Sequence, residues 1–301
     1  YYFGDITVDP KNQERIYITG VPLLFSDNGG KTFQSIDGDN VHSDHHVVWI
    51  NPNNPNHLVN GNDGGLNITY DNGKSWQLCN SIPVGQFYAV NVDEQEPYNI
   101  YGGLQDNGVW VGASNYSASI GWQQEGKYPY ARLMGGDGMQ IQIDKRNPNI
   151  VFTGYQYGSY YRINRADESK SKFIAPKAKK GDKPYRYNWQ SPILLSSHNQ
   201  DILYLGSNFL HRSMNQGDTW TAISPDLTQG GKQGNVAFGT LTTISESPFE
   251  FGVLYTGSDD GLVQFSNNGG ANWKVISTTL PQNLWVSRVV ASAHKKERVY
   301  V

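Results

Sequence analysis

VWINPNNPNHLVNGNDGGLNITYDNGKSW, running from Val48 to Trp76, holds most of one repeat of the pattern that decides the fold. It opens on a short apolar strand, passes through a turn rich in Asn and Pro, and returns as a second strand ending in Gly. A third strand then leads into a turn bounded by Thr69 and Trp76. Apolar residues alternate with period two, and Gly, Asn and Pro punctuate each turn, so the unit is built of strands and not of helices.

The same unit recurs. ITVDPKNQERIYITG from Ile6 and IQIDKRNPNIVFTGY from Ile141 are close copies, and weaker ones begin at Val90, Ile193, Thr243 and Val289. The turn-entry residues Asp9, Asn51, Asp93, Asp144, Ser196, Glu246 and Ser292 are spaced 42, 42, 51, 52, 50 and 46 residues apart. That spacing fits four short strands per repeat, the unit of a β-propeller. A second signature, S/T-x-D/N-x-G-x-x-W/F, is the Asp box. It recurs at Ser26 to Phe33, Thr69 to Trp76, Ser213 to Trp220 and Ser266 to Trp273. In it the Asp or Asn satisfies its own turn backbone, Gly supplies positive φ, and the aromatic packs between blades. The boxes are thus structural and not catalytic. Blades three and four have lost the box, in segments ending at Trp122 and Phe173.

The expected architecture is an all-β propeller forming one domain over residues 1–301. It has six complete four-stranded blades and part of a seventh, starting near 6, 48, 90, 141, 193, 243 and 289. Closing the ring takes seven or more blades. The chain begins without Met and stops within a strand, so the rest of a longer chain is expected to complete the propeller.

Composition removes several functions. A net charge of −3 leaves no footprint for nucleic acid. No apolar run approaches the roughly 18 residues of a membrane span. The single Cys excludes an internal disulfide framework and a Cys-based zinc site. No HExxH, G-x-S-x-G, P-loop or paired CxxC is present.

Three groups of residues could carry chemistry. His42, Asp44 and His46 precede the second blade's first strand; on an extended strand they share a face and could hold a divalent metal. Asp44 lies in register with Asp137 of the fourth blade, so both acids could meet a ligand. Asp63, Asp106 and Asp259 follow the second strand of three blades, with Gln105 beside Asp106. Two of these acids facing a cleft would suit glycoside hydrolysis, although D-x-G is also an ordinary turn. Tyr88, Tyr130, the run from Tyr155 to Tyr161, and Trp189 are aromatics suited to sugar rings or peptide side chains. The basic run from Lys177 to Lys183 reads as a solvated loop.

Beside these motifs, HSDHHVVWINPNNPNHLVNGNDGGLNITYDNGKSW from His42, PVGQFYAVNVDEQEPYNIYGGLQDNGVWVG from Pro83, and YRYNWQSPILLSSHNQDILYLGSNFLHRSMNQGDTWTAISPDL from Tyr185 carry a family likeness. SDDGLVQFSNNGGANW and WVSRVVAS near the end carry it too. The chain resembles the large secreted bacterial Asp-box proteins with a sortilin-like N-terminal region, often labelled glycosyl hydrolases. The resemblance implies an exported propeller that is secreted, periplasmic or on the cell surface. Sortilin's propeller binds peptides. The hydrolase label implies kinship with xyloglucan-hydrolysing endoglucanases, whose catalytic Asp lies in a D-x-G-G turn after a blade's second strand. Asp106 and Asp259 occupy that place, with Val109 and Leu262 where the second Gly would stand. In the second blade Asn62 matches it, with Asp63 one residue on. The leading expectation is an extracellular recognition module for peptide, protein or glycan. The alternatives are a glycoside hydrolase with paired carboxylates and a metal-dependent hydrolase.

Overall fold

The computed structural model describes residues 3–79, 85–117, 119–121, 124, 128–281 and 283–301. Trp122 and Pro83 lie outside the described residues. The strands assemble into six four-stranded antiparallel sheets and one two-stranded sheet, each in simple sequence order. This succession of antiparallel meanders is a β-propeller.

Blade 1 comprises β1 (Ile6–Asp9), β2 (Asn12–Ile18), β3 (Leu24–Ser26) and β4 (Gln34–Ser35). Blade 2 comprises β5 (His45–Ile50), β6 (Leu58–Asn62), β7 (Gly65–Thr69) and β8 (Gln77–Cys79). These two blades lie in one compact unit, residues 1–85, and everything later lies in a second, residues 86–301. Blade 3 comprises β9 (Phe87–Val92), β10 (Asn99–Leu104), β11 (Gly108–Ala113) and β12 (Tyr130–Met134). Blade 4 has β13 (Gln142–Ile143), β14 (Ile150–Tyr155), β15 (Ser159–Asn164) and β16 (Lys172–Phe173). Blade 5 has β17 (Ile193–Leu195), β18 (Leu203–Gly206), β19 (Leu210–Ser213) and β20 (Thr221–Ala222). Blade 6 has β21 (Leu241–Glu246), β22 (Leu254–Ser258), β23 (Val263–Ser266) and β24 (Lys274–Val275), and β25 (Val290–Ala291) pairs with β26 (Val299–Tyr300).

The apolar cores lie between successive sheets because alternate residues of each strand face opposite neighbours. In the first unit, Tyr17, Leu23 and Phe25 of blade 1 meet Val48, Ile50, Leu58 and Trp76 of blade 2. In the second, Phe152, Tyr160 and Ile174 of blade 4 meet Ile193, Leu195, Leu203 and Leu205 of blade 5. Each such side chain contributes about 1.5–3 kcal/mol when removed from water.

The box turns explain how one blade is fixed to the next. Ser26 Oγ accepts from the amides of Asn28 and Gly30, and Asn28 Oδ1 accepts from Thr32 N. Thr69, Ser213 and Ser266 begin turns with the same bonds. The box tryptophan then reaches back one blade. Trp76 Nε1 donates to Ile36 O at 2.7 Å, Trp273 Nε1 to Ile223 O at 3.1 Å, and Trp220 Nε1 to Ile174 O. The accepting isoleucine always follows the preceding blade's fourth strand. The box glycine rests on that same residue: a Cβ on Gly217 would lie 2.7 Å from Ile174 Cβ, and one on Gly270 2.4 Å from Ile223 O. Arg162 and Arg212 add a second tie, each donating to a box-turn carbonyl of the following blade, Gln216 O and Gly269 O.

Replacing the indole by a phenyl ring removes this tie together with part of the ring's contact. Trp220→Phe leaves the buried Ile174 with a carbonyl short of its donor, and urea unfolding should show a loss of about 1–2 kcal/mol. An unchanged midpoint would show that the ring's apolar contact alone carries the junction. A second expectation concerns Asp71, whose carboxyl is held down at about 2 by the Ser75 hydroxyl and amide and by Thr69. A depressed carboxylate stabilises above its unfolded value and loses that contribution as pH falls towards its folded one. Asp71→Asn should therefore flatten the stability profile between about pH 4 and pH 2. Asn28, Asn215 and Asn268 already occupy the equivalent position, so the variant should fold.

Candidate functional site

The richest polar and aromatic cluster of the second unit gathers on the connections of blades 3, 4 and 5. Its foundation is a close approach of glycines. A Cβ on Gly103 would lie 2.3 Å from Met139 O, and one on Gly138 would lie 2.2 Å from Gly108 O. Only glycine allows these backbones so near one another. The segment before β13 is thereby pressed against the β10–β11 turn. Asp137 is 5% exposed there, and its Oδ1 accepts the Asp106 amide at 2.8 Å. Asp106 itself adopts φ 62°, a conformation that Asp tolerates better than most residues. Gln105 shares this turn, its carbonyl accepting from Asn107 N at 2.7 Å.

An aromatic wall stands beside the two acids. Trp189 Nε1 donates to the Tyr88 hydroxyl at 3.3 Å, and Gln190 Nε2 to the Tyr88 carbonyl at 3.4 Å. Tyr157, at φ 56°, meets Trp189 edge to face with ring centres 5.3 Å apart. Its amide donates to Trp189 O. Tyr157 and Trp189 remain 41% and 39% exposed, so rings that are tied in place still offer surface to a ligand. Gln156 closes the loop, its Oε1 accepting from Asp137 N at 3.4 Å. Burial pushes the Tyr88 phenol up. The Trp189 bond opposes that rise, and the negative charges of Asp137 and Asp106 add to it. Tyr88 is therefore a neutral donor and acceptor at physiological pH.

Of the residues singled out in the sequence, Gln105, Asp106, Asp137 and Trp189 lie on these connections, and Tyr88 near the start of β9. Asp259 does something else. It is 4% exposed, and it accepts from Gly239 N, Thr240 N and the Thr240 hydroxyl at 3.0, 2.9 and 2.6 Å. Such a carboxylate anchors the start of β21. Tyr130 belongs to β12, the outermost strand of its blade, where its ring covers Gly112. It stands three strands out from Tyr88.

In the first unit the expected alternation of His42, Asp44 and His46 does not occur. The strand begins only at His45, and Asp44 has φ 62°, which turns the chain and destroys the common face. Among the described residues no three His, Cys, Asp or Glu side chains are grouped to hold a metal. His46 Nε2 instead bonds Asp63 Oδ1 at 2.7 Å. His45, not singled out in the sequence, is fully buried, with Nδ1 on Asn60 Oδ1 at 2.9 Å. Tyr157 lay inside the aromatic run, but the amides Gln156 and Gln190 carried no sequence signal beyond adjacency to it and to Trp189.

No protein-family model matches the chain, and no curated protein matches it. Among solved structures, a GH74 enzyme from Niastella koreensis is 13% identical, with a TM-score of 0.35 over 96% of this chain and 61% of its own. An ancestral GH74 enzyme is 16% identical, with a TM-score of 0.31 over 95% of this chain and 32% of its own. YCF48 from Cyanidioschyzon merolae is 13% identical, with a TM-score of 0.43 over 95% of this chain and 90% of its own. The chain thus spans about three fifths of the first enzyme and a third of the second. Likenesses this remote assign neither ligand nor chemistry.

The two acids once paired as candidates should respond differently to substitution. Asp259→Asn puts an amide against three donors and should cost about 1–3 kcal/mol in urea unfolding. Asp106→Asn keeps the main-chain bond to Asp137 and suits the same φ, so it should cost less than Asp259→Asn. Equal losses would show that Asp106 is an anchor too.

Proposed function

We propose that the protein is a glycan-recognition module acting outside the cell, whether secreted, periplasmic or surface-held, with its site on the connections of blades 3 to 5. The observation that supports this reading is the fixed but open Trp189–Tyr157 pair, tied to Tyr88, whose phenol feels the charges of Asp137 and Asp106. A sugar presents a flat C–H face and a rim of hydroxyl donors. The indole suits the first and the carboxylates the second. Tying the Trp189 N–H back to Tyr88 sets the ring before a ligand arrives, which lowers the ordering cost of binding. An Asp-box propeller of the sortilin-like kind is the scaffold to which this reading belongs.

A second reading is favoured by the adjacency of Asp106 and Asp137. Two acids on facing segments could serve as a glycosidase couple. Asp137 then replaces Asp259 as the partner of Asp106.

One set of measurements separates them. Titration calorimetry against soluble oligosaccharides should show binding that Trp189→Ala weakens at least about tenfold, or about 1.4 kcal/mol. Release of reducing ends by wild type, abolished in Asp106→Asn, would replace recognition by hydrolysis. Failure of every sugar to bind would reject both readings.

A further inference from the structure

Blade 4 carries a row of rings that leads away from the site just described. Tyr155 ends β14, Tyr161 lies in β15 and Phe173 in β16. Tyr161 is the direct cross-strand partner of Phe173, while Tyr155 stands two residues beyond Thr153, the partner of Tyr161 on the other side. Ring centres are 6.0 Å apart from Tyr155 to Tyr161 and 5.3 Å apart from Tyr161 to Phe173. The inner end of the row touches the site: a Cβ on Gly136, the residue before Asp137, would lie 2.9 Å from Tyr155 Cβ. The outer end is open, with Phe173 41% exposed. Cross-strand aromatic pairs do stabilise sheets, but rings serving only that purpose have no need of an open face.

The outer end is also basic. Lys177 Nζ sits 5.0 Å from the Phe173 ring centre, and Lys179, Lys180 and Lys183 follow it, with Asp182 as the one acid in that run. Lys170 and Lys172 are neutralised by Asp167 and Asp218. Among the described residues no carboxylate forms an ion pair with Lys177, Lys179, Lys180 or Lys183. Charge therefore runs from negative at Asp106 and Asp137 to positive beyond Phe173.

We infer that Tyr155, Tyr161, Phe173 and Lys177 form an outer row of subsites for a linear acidic polysaccharide, of the uronic-acid class. The inference rests on the glycan reading of the Trp189 site and extends it. A sugar advances by about one ring-to-ring step per residue along such a row, and the chain must turn with the rings, whose planes rotate by 35° from Tyr155 to Tyr161 and by 85° from Tyr161 to Phe173. Carboxylates on the outer sugars meet the unpaired lysines. The Asp106–Asp137 end repels acidic groups and so sets which end of the chain lies inward.

The test compares a galacturonic-acid disaccharide and hexasaccharide with neutral cello-oligosaccharides of the same lengths, by calorimetry, at low and at physiological salt. Wild type should bind the acidic hexasaccharide at least about tenfold more tightly than the disaccharide. Phe173→Ala should remove that gain and leave disaccharide affinity unchanged. Substituting Lys177, Lys179 and Lys180 together by Gln should abolish the preference for acidic chains and its salt dependence. Equal affinity for long and short chains, or for acidic and neutral ones, overturns the outer row while leaving the Trp189 site standing. No binding by any sugar removes both. Phe173 and the lysines are exposed, so an unchanged thermal midpoint will certify folding of both variants.

Discussion

The bond from a box tryptophan to the isoleucine carbonyl one blade earlier is the interaction on which the regularity of this molecule depends. A propeller blade is a small sheet with two faces to bury and two edges to satisfy. Apolar packing buries the faces but is indifferent to sliding, because it has no direction. The indole N–H is directional, and it reaches Ile36, Ile174 and Ile223 at one equivalent place in each preceding blade. The turn that presents the indole is rigid for its own reasons, since its Ser or Thr hydroxyl and its Asp or Asn side-chain oxygen accept from the local amides. Rigidity within the turn thus becomes position between the blades. The box glycine completes the device, because any side chain there would strike the same isoleucine.

The inner edges are satisfied by a quieter version of the same idea. Each blade's first strand lies at the end of its sheet and so has a row of backbone groups without a strand partner. Polar side chains of the preceding blade meet some of them. Asn91 Nδ2 donates to Ile141 O, Gln140 Oε1 accepts from Ile193 N, and Thr243 Oγ1 accepts from Val289 N. Amide and hydroxyl residues on or just before these first strands therefore serve as edge partners. The same accounting explains Asp259, an acid whose acceptors are already filled by the backbone it anchors.

The propeller was legible in the sequence because its alternating strands and its Gly-, Asn- and Pro-rich turns rest on local chemistry. The site was legible only in part, for reasons particular residues make plain. The alternation assumed for His42, Asp44 and His46 failed because one positive φ at Asp44 is invisible to a period-two pattern. Asp106 and Asp259 look alike as D-x-G turns, yet one is half-buried beside a cluster of rings and the other is sealed. What separates them is Thr240 and Gly239 in one case and Asp137 in the other, residues 19 to 31 positions away. Tyr88 and Trp189, 101 residues apart, were each noticed for being aromatic. Nothing local said that they touch.

The site also lies where the box is missing. Blades 3 and 4 lack the S/T-x-D/N-x-G-x-x-W/F sequence, and the second unit's clasps join blade 4 to blade 5 and blade 5 to blade 6. Between blades 3 and 4 a different junction takes over. Arg165 donates to the Tyr101 hydroxyl at 2.6 Å, that hydroxyl donates to Asp93, and the Gly103–Gly138 approach closes the inner end. A junction held at its inner end by glycines leaves the outer part of blade 4 free to carry rings in place of a box. Phe173 alone stands where the box aromatic would, at the end of that segment. Where Trp220 and Trp273 reach back to clasp a neighbour, this ring is 41% exposed to solvent.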